Sequence, residues 1–204
     1  MATATATTID LRRELKPFYT AGAKGPVLLS LPPLTVLAIE GEGAPESESF
    51  QQAVQAMYTC AYTLKFNAKK ALGVDYPVMP LEGLWRNAAG GDFQVEQREA
   101  WGWTLLIVVP DLVTEELIES QRERCVQKAP AAARVSVRRF AEGQAVQILH
   151  VGPFSTEPAT IERMHEFIRE RGLAFNGDHH EIYLSDPRRA APEKWRTILR
   201  QPVR

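Results

Sequence analysis

Cysteine is almost missing from this chain: Cys60 and Cys125 are the only two, and neither belongs to a CxxC or Cys/His pattern. That argues against a disulfide framework or a zinc site and predicts two buried free thiols. Histidine is nearly as scarce, limited to His150, His165, His179 and His180, so no metal is expected. No apolar run approaches the roughly 18 residues that a membrane helix needs, and the opening MATATATTIDLRRELK has no apolar core behind a basic start. These absences predict a cytoplasmic protein with no membrane partner. An excess of charge of either sign is lacking too. The formal net charge of -1 at pH 7 gives no global electrostatic footprint for nucleic acid, and none is expected as a partner. No GxSxG, Walker or HExxH motif occurs, so any catalysis must come from residues outside those signatures.

What is present is an alternation of helical and extended patterns. Residues 1–25 read as a loosely held N-terminal arm: Ala/Thr repetition, a short charged helix-like piece around Asp10 to Lys16, then turn formers. Leu34 to Ile39 reads as a strand entered through Pro32 and Pro33 and ended by a turn at Gly41 and Gly43. From Glu48 to about Leu72, Phe50, Val54, Met57, Ala61, Leu64 and Ala68 recur every three or four residues, which predicts a helix with an apolar stripe. Tyr58, Tyr62 and Phe66 form a second row beside it, either packing or lining a cavity. Strands follow at 78–87 and 93–110, and TEELIESQRERC predicts an amphipathic surface helix with acids first and arginines late.

The second half repeats this order. VSVRRF and GQAVQILHVG are strands, residues 157–172 are a helix with Ile161, Met164, Phe167 and Ile168 inward, and HHEIYLS is a strand. PEKWRTILRQPV is read as a terminal extended or turn segment. The expected fold is α+β: duplicated strand-helix-strand-strand units with pseudo-twofold symmetry, an antiparallel sheet, two long helices and a central ligand cleft. Residues 26–204 form one domain of two repeats, about 26–128 and 133–204.

The chemistry-bearing set is polar and aromatic. Glu181 and Tyr183 have the same parity, so on a strand they share a face. Glu181 is either a surface glutamate paired with Arg188 or Arg189, or a carboxylate desolvated by aromatic walls and able to take a proton or hold a cation. Tyr183 is either a half-buried strand tyrosine or a hydrogen-bond donor to a ligand carbonyl. Trp101 and Trp103 share a strand face and predict a flat indole wall. His179 and His180 alternate faces, so at most one joins Glu181, and turn histidines in solvent are the alternative. His150 is either a core histidine or a ligand contact.

HEIYLSDPRR followed by PEKWRTILRQPV, with PLEGLW, WGWTLLIVVP, QILHVGPF and IEGEGAP leading into FQQAVQAMYTCAYTLKF, resembles the GyrI-like small-molecule-binding family. The chain is similar to its stand-alone branch of cyclopropanoid cyclopropyl hydrolases, within the wider SOUL/gyrase-inhibitor-like superfamily. The resemblance implies a duplicated fold with a ligand cleft between the halves and a hydrophobic or aromatic small molecule as partner. It implies that Glu181 orients or deprotonates water and Tyr183 polarises the ligand. Tyr58, Tyr62, Trp85 and Trp103 then stack around a flat substrate, with His150 a further contact. A strained cyclopropane ring would be opened by water. The alternative is a non-catalytic sensor or sequestering module for lipophilic or cationic drugs, with a gyrase-modulating role a third reading. Arg86 stands where relatives often carry an aromatic residue, which predicts an altered cleft wall. Haem needs an axial ligand that no histidine here offers, so no cofactor is expected. The residues at 1–25 are too few for a DNA-binding domain, and a monomer or homodimer is expected.

Overall fold

Leu37 and Val36 are neighbours on one strand and both are buried, although side chains alternate between the two faces of a sheet. The strand is therefore covered from both sides. The computed structural model describes residues 7–90 and 98–204. In chain order its elements are β1 (Thr7–Thr8), α1 (Leu11–Glu14), β2 (Val27–Leu31), β3 (Leu34–Glu42), α2 (Glu48–Asn67), β4 (Val74–Asp75), β5 (Glu82–Asn87) and β6 (Trp101–Val108). There follow α3 (Glu115–Lys128), β7 (Ser136–Phe140), β8 (Gly143–Val151), α4 (Glu157–Glu170), β9 (His179–Tyr183) and β10 (Arg196–Pro202).

Among the described residues, eight strands form one antiparallel sheet in the order β2-β8-β10-β9-β5-β6-β3-β7. The order is symmetric about the β5–β9 pair if β2-β3-α2-β5-β6 is exchanged with β7-β8-α4-β9-β10. In each unit the leading strand crosses to the far edge, so β2 pairs with β8 and β7 with β3. The fold is mixed α+β, with the duplicated strand-helix-strand-strand order visible in the sheet.

Local sequence explains the helices on one face. Ser47 caps α2 by accepting from the Phe50 amide at 3.3 Å, satisfying one of the amides that a helix start leaves open. Phe50, Met57, Ala61 and Leu64 are buried, and the small residues Ala53, Ala56 and Cys60 let α2 approach its neighbours closely. One turn of wider π-helix, Ala68–Leu72, continues α2. On the other half, Met164 and Ile168 of α4 pack on Val146, Ile148 and Leu199. Burial of such side chains stabilises by about 1.5–3 kcal/mol each. Cys60 and Cys125 are free and buried where α2 meets α3.

Several expectations are corrected. The arm is not loosely held from Thr7 onward: Thr7 and Thr8 pair with Val74 and Asp75, and Leu11 and Leu15 enter the core. Its amphipathic residues cover the sheet face that the helices leave open. The terminal PEKWRTILRQPV, expected as extended or turn, is a 3-10 turn over Pro192–Lys194 and then a strand over Arg196–Pro202 that lies inside the sheet, with β8 on one side and β9 on the other. Arg200 and Gln201 hid its place inside the sheet, because both are buried: Arg200 in a polar cluster described below and Gln201 against the Gly177 carbonyl. Strand β3 runs through Gly41 instead of stopping there, since the Trp103 ring lies where a Cβ would be, 2.3 Å away. Residues 93–97 of the expected strand at 93–110 lie outside the described residues, and β6 begins at Trp101.

Candidate functional site

Directly opposite residues in an antiparallel pair lie on one face. Leu199 packs under α4 and is opposite Glu181, so Glu181 points to the helix side of the sheet. Glu181 is in turn opposite Gly83, and His179 opposite Trp85. Phe50 of α2 stacks on Trp85 at 5.5 Å between ring centres. The two central strands therefore present Glu181, Tyr183 and Trp85 between the helix of one unit and the helix of the other.

Polar contacts connect these groups. The Tyr183 hydroxyl donates to Glu181 Oε2 at 2.9 Å, and Trp85 Nε1 donates to the Tyr183 hydroxyl oxygen at 3.1 Å. His179 Nε2 stands 3.5 Å from Glu181 Oε1. Burial, then the Glu181 charge, push the Tyr183 phenol well above its ordinary value, so it stays protonated and can donate. Arg188, offered above as a surface partner for Glu181, is instead held by Asp186 at 3.0 Å.

A second carboxyl shares the site. Glu157 begins α4 and is 5% exposed, and its Oε1 has no hydrogen-bond partner among the described residues. A helix N-terminus favours a carboxylate by about 0.3–1 kcal/mol. Here burial outweighs that, and with the neighbouring Glu181 charge it raises the Glu157 carboxyl to about 9, against a hydrogen bond with Thr197. At neutral pH Glu157 keeps its proton beside Glu181. A buried carboxyl held protonated beside a second carboxyl is an arrangement that general acid-base chemistry uses. The sequence reading missed Glu157. Its signal was a charge four residues before Ile161, on the same inward stripe as Met164 and Ile168.

Aromatic rings flank the carboxyls. In the first unit Trp103 meets Phe50 edge-on at 5.2 Å, and Trp101 meets Trp85 at 5.3 Å. The flat wall predicted from Trp101 and Trp103 is corrected to this series, with Phe50 and Trp85 between the two. Trp103 is fully buried, its Nε1 without a partner among the described residues, and it backs the wall. In the second unit Phe154 packs edge-on against Tyr183 at 6.0 Å and beside Trp195 at 5.0 Å. Neither Phe154 nor Trp195 was singled out by sequence. Tyr58 is half-buried, and burial followed by the Asp186 charge raises its phenol, which puts it at the segment after β9. Tyr62 is 48% exposed and pairs with Phe66 at 6.3 Å. His150 is buried, with Nδ1 2.9 Å from the Thr160 hydroxyl and Nε2 3.2 Å from that of Thr156. It ties β8 to the start of α4 and so sets where Glu157 begins.

The other sheet face holds an ionic cluster. His180 sits between Glu142, 2.7 Å from Nδ1, and Glu82, 2.9 Å from Nε2. Arg200 donates to Glu142 at 3.0 Å and to the Phe18 carbonyl at 2.5 Å, and the Tyr19 hydroxyl donates to Glu82. His180 is fully buried, which works against its charge, yet Glu142 foremost and Glu82 raise it to about 9. Glu142 is lowered to about 2 by His180 and Arg200 despite its own burial. Both His179 and His180 are thus buried strand residues, contrary to the reading as solvated turn histidines. Arg86 also faces this side, bonded to Thr104 at 2.9 Å and 3.6 Å from Asp178, so it alters no wall beside Trp85.

No helix among the described residues is long and apolar enough to cross a membrane. No curated protein matched the sequence. Solved structures do. An uncharacterized conserved protein from Listeria innocua is 42% identical with a TM-score of 0.88, over 96% of this chain and 100% of that one. A hydrolase from Listeria innocua is 41% identical with a TM-score of 0.84, over 96% and 100%. The EcmrR C-terminal domain, 12% identical with a TM-score of 0.57 over 88% and 96%, shares the fold. Residues 26–204 match the GyrI-like small molecule binding domain, and the chain belongs to that family.

Proposed function

We propose that this protein is a hydrolase that adds water to a cyclopropane-bearing, flat aromatic electrophile and so protects the cell from it. The observation that carries the reading is the pair of neighbouring carboxyls, Glu157 kept protonated and Glu181 bonded to Tyr183, set between aromatic rings. The hydrolase from Listeria innocua at 41% identity supports a hydrolytic activity.

Glu181 takes a proton from water, and the water oxygen bonds to the strained ring methylene. The ring carbon–carbon bond breaks, and its electron pair moves into a carbonyl conjugated with the ring. Glu157 gives that carbonyl oxygen its proton, so the product is a phenol bearing a new alcohol. Proton exchange from Glu181 back to Glu157 restores the starting state. The Tyr183 hydroxyl, held by Trp85, orients Glu181. Ring strain and gain of aromaticity supply the driving force, so a modest acid-base contribution of about 10²–10⁴-fold suffices.

The test is incubation of purified protein with a cyclopropylindole-type electrophile in ¹⁸O-water, followed by liquid chromatography and mass spectrometry. Multiple-turnover formation of an adduct carrying one ¹⁸O is expected. Stoichiometric binding without adduct would sink the hydrolase reading and leave a sequestering module with Glu181 as ligand anchor.

A further inference from the structure

The hydrogen bonds from Trp85 to Tyr183 to Glu181 pass over one residue that has no side chain. Gly83 lies opposite Glu181 in the β5–β9 register and on the same sheet face. A Cβ placed on Gly83 would stand 2.9 Å from Trp85 Nε1, 2.9 Å from the Tyr183 hydroxyl oxygen and 3.3 Å from Trp85 Cε2. Gly83 is not among the residues with positive φ, so its backbone conformation is open to any residue and the need for glycine is spatial.

Trp85 has little room to withdraw, so the half-buried Tyr183 phenol tip is the part that must move. Trp85 is 3% exposed, stacked on Phe50 and met at its edge by Trp101. Tyr183 is edge-on against Phe154, which in turn rests beside Trp195. Gly83 itself is buried in mid-sheet, with paired strands on both sides, so the backbone has little freedom to yield.

We infer that Gly83 is a positioning residue: the space left by its missing side chain is where Trp85 Nε1 meets the Tyr183 hydroxyl, and this fixes that hydroxyl on Glu181. Gly83 touches no reacting atom. A methyl group there displaces the phenol tip, breaks the bond from Trp85 and leaves Glu181 without its oriented donor. The inference rests on the hydrolase reading only for its effect on rate; the hydrogen-bond effect is independent of turnover.

The experiment compares wild type, Gly83→Ala, Tyr183→Phe and the double variant. ¹H–¹⁵N spectra report the indole N–H groups, with the Trp85 signal assigned by Trp85→Phe. Gly83→Ala is expected to move the Trp85 indole proton upfield, as Tyr183→Phe does, and the double variant to match Tyr183→Phe. An unmoved Trp85 signal in Gly83→Ala overturns the inference, whatever the activity. With a cyclopropylindole substrate, Gly83→Ala is expected to lower kcat about tenfold, the loss of one hydrogen bond to a charged group, with KM within about twofold. In the Tyr183→Phe background the same change should lower kcat less than about threefold. Equal losses in both backgrounds would mean that alanine acts through packing alone, and the inference fails. If Gly83→Ala does not fold, recovery of folding in the Tyr183→Phe background supports the inference and failure in both refutes it. If wild type binds the electrophile without turnover, the hydrolase reading falls while the indole spectra still decide the role of Gly83.

Discussion

Tyr183 donates its hydroxyl to Glu181 at 2.9 Å from two residues along the same face of β9. The bond is short-range in sequence, yet its geometry is set by Trp85 from the other half of the chain, 98 positions away. The pair therefore reports whether the two units are docked correctly.

Glu181→Gln retains shape and hydrogen-bonding capacity but cannot take a proton. It is expected to bind a flat aromatic electrophile within about threefold of wild type and to lose about 10²–10⁴-fold in kcat. Steady-state kinetics with a parallel binding titration check this; normal turnover would remove Glu181 from the role of base.

Glu157 ties activity to stability in opposite directions. Its folded-state value, about 9, lies above the ordinary 4.5, so its contribution to stability is fully present below about pH 4.5 and is lost as pH rises through 9. Glu157→Gln removes that penalty and is expected to stabilise the protein at pH 7 by on the order of 1–3 kcal/mol, while lowering kcat. Wild-type kcat should also fall as pH rises through about 9. Denaturant melts at pH 5 and 7 decide it: a variant no more stable than wild type at pH 7 would show that Glu157 is ionised in the fold.

The cluster behind the sheet sets a stability window. His180, raised to about 9, contributes fully below about pH 6.5 and loses its contribution as pH rises through 9. Glu142, lowered to about 2, contributes fully above about pH 4.5 and loses its contribution as pH falls through 2. Their joint contribution is greatest between about pH 4.5 and 6.5, a prediction open to a Tm series across pH. His180→Ala leaves Glu82 and Glu142 buried without their shared cation and should cost about 3–5 kcal/mol.

Tyr19→Phe tests whether the arm is part of the folded unit. It removes the hydroxyl that donates to Glu82 and should destabilise by about 1.5–3 kcal/mol. A Tm unchanged within error would mean that the arm adds no stability through this bond.

The periodic elements were legible because their signals are local. The stripe of α2, the stripe of α4 and the parity of Glu181 and Tyr183 follow from spacings of four residues or fewer. Glu157 and His180 were not, because each is charged or chargeable yet buried, and only the sheet order brings in the partners that decide its proton. The place of β10 inside the sheet escaped for the same reason: Arg200 reads as solvent-facing until Glu142 and Gln147 are placed beside it, and Gln201 until the Gly177 carbonyl is. Arg86 follows Trp85 on β5 and so lies on the opposite face, a parity that similarity to an aromatic position in relatives does not convey.

The crossed leading strands have a consequence for dissection. Because β2 belongs in sequence to the first unit but pairs in the second, and β7 the reverse, a cut between α3 and β7 yields two fragments that each lack an edge strand held by the other. Mixed together, such fragments should reassemble only as a mutual pair, which makes this fold a natural framework for a split reporter whose signal depends on the joined β5–β9 centre.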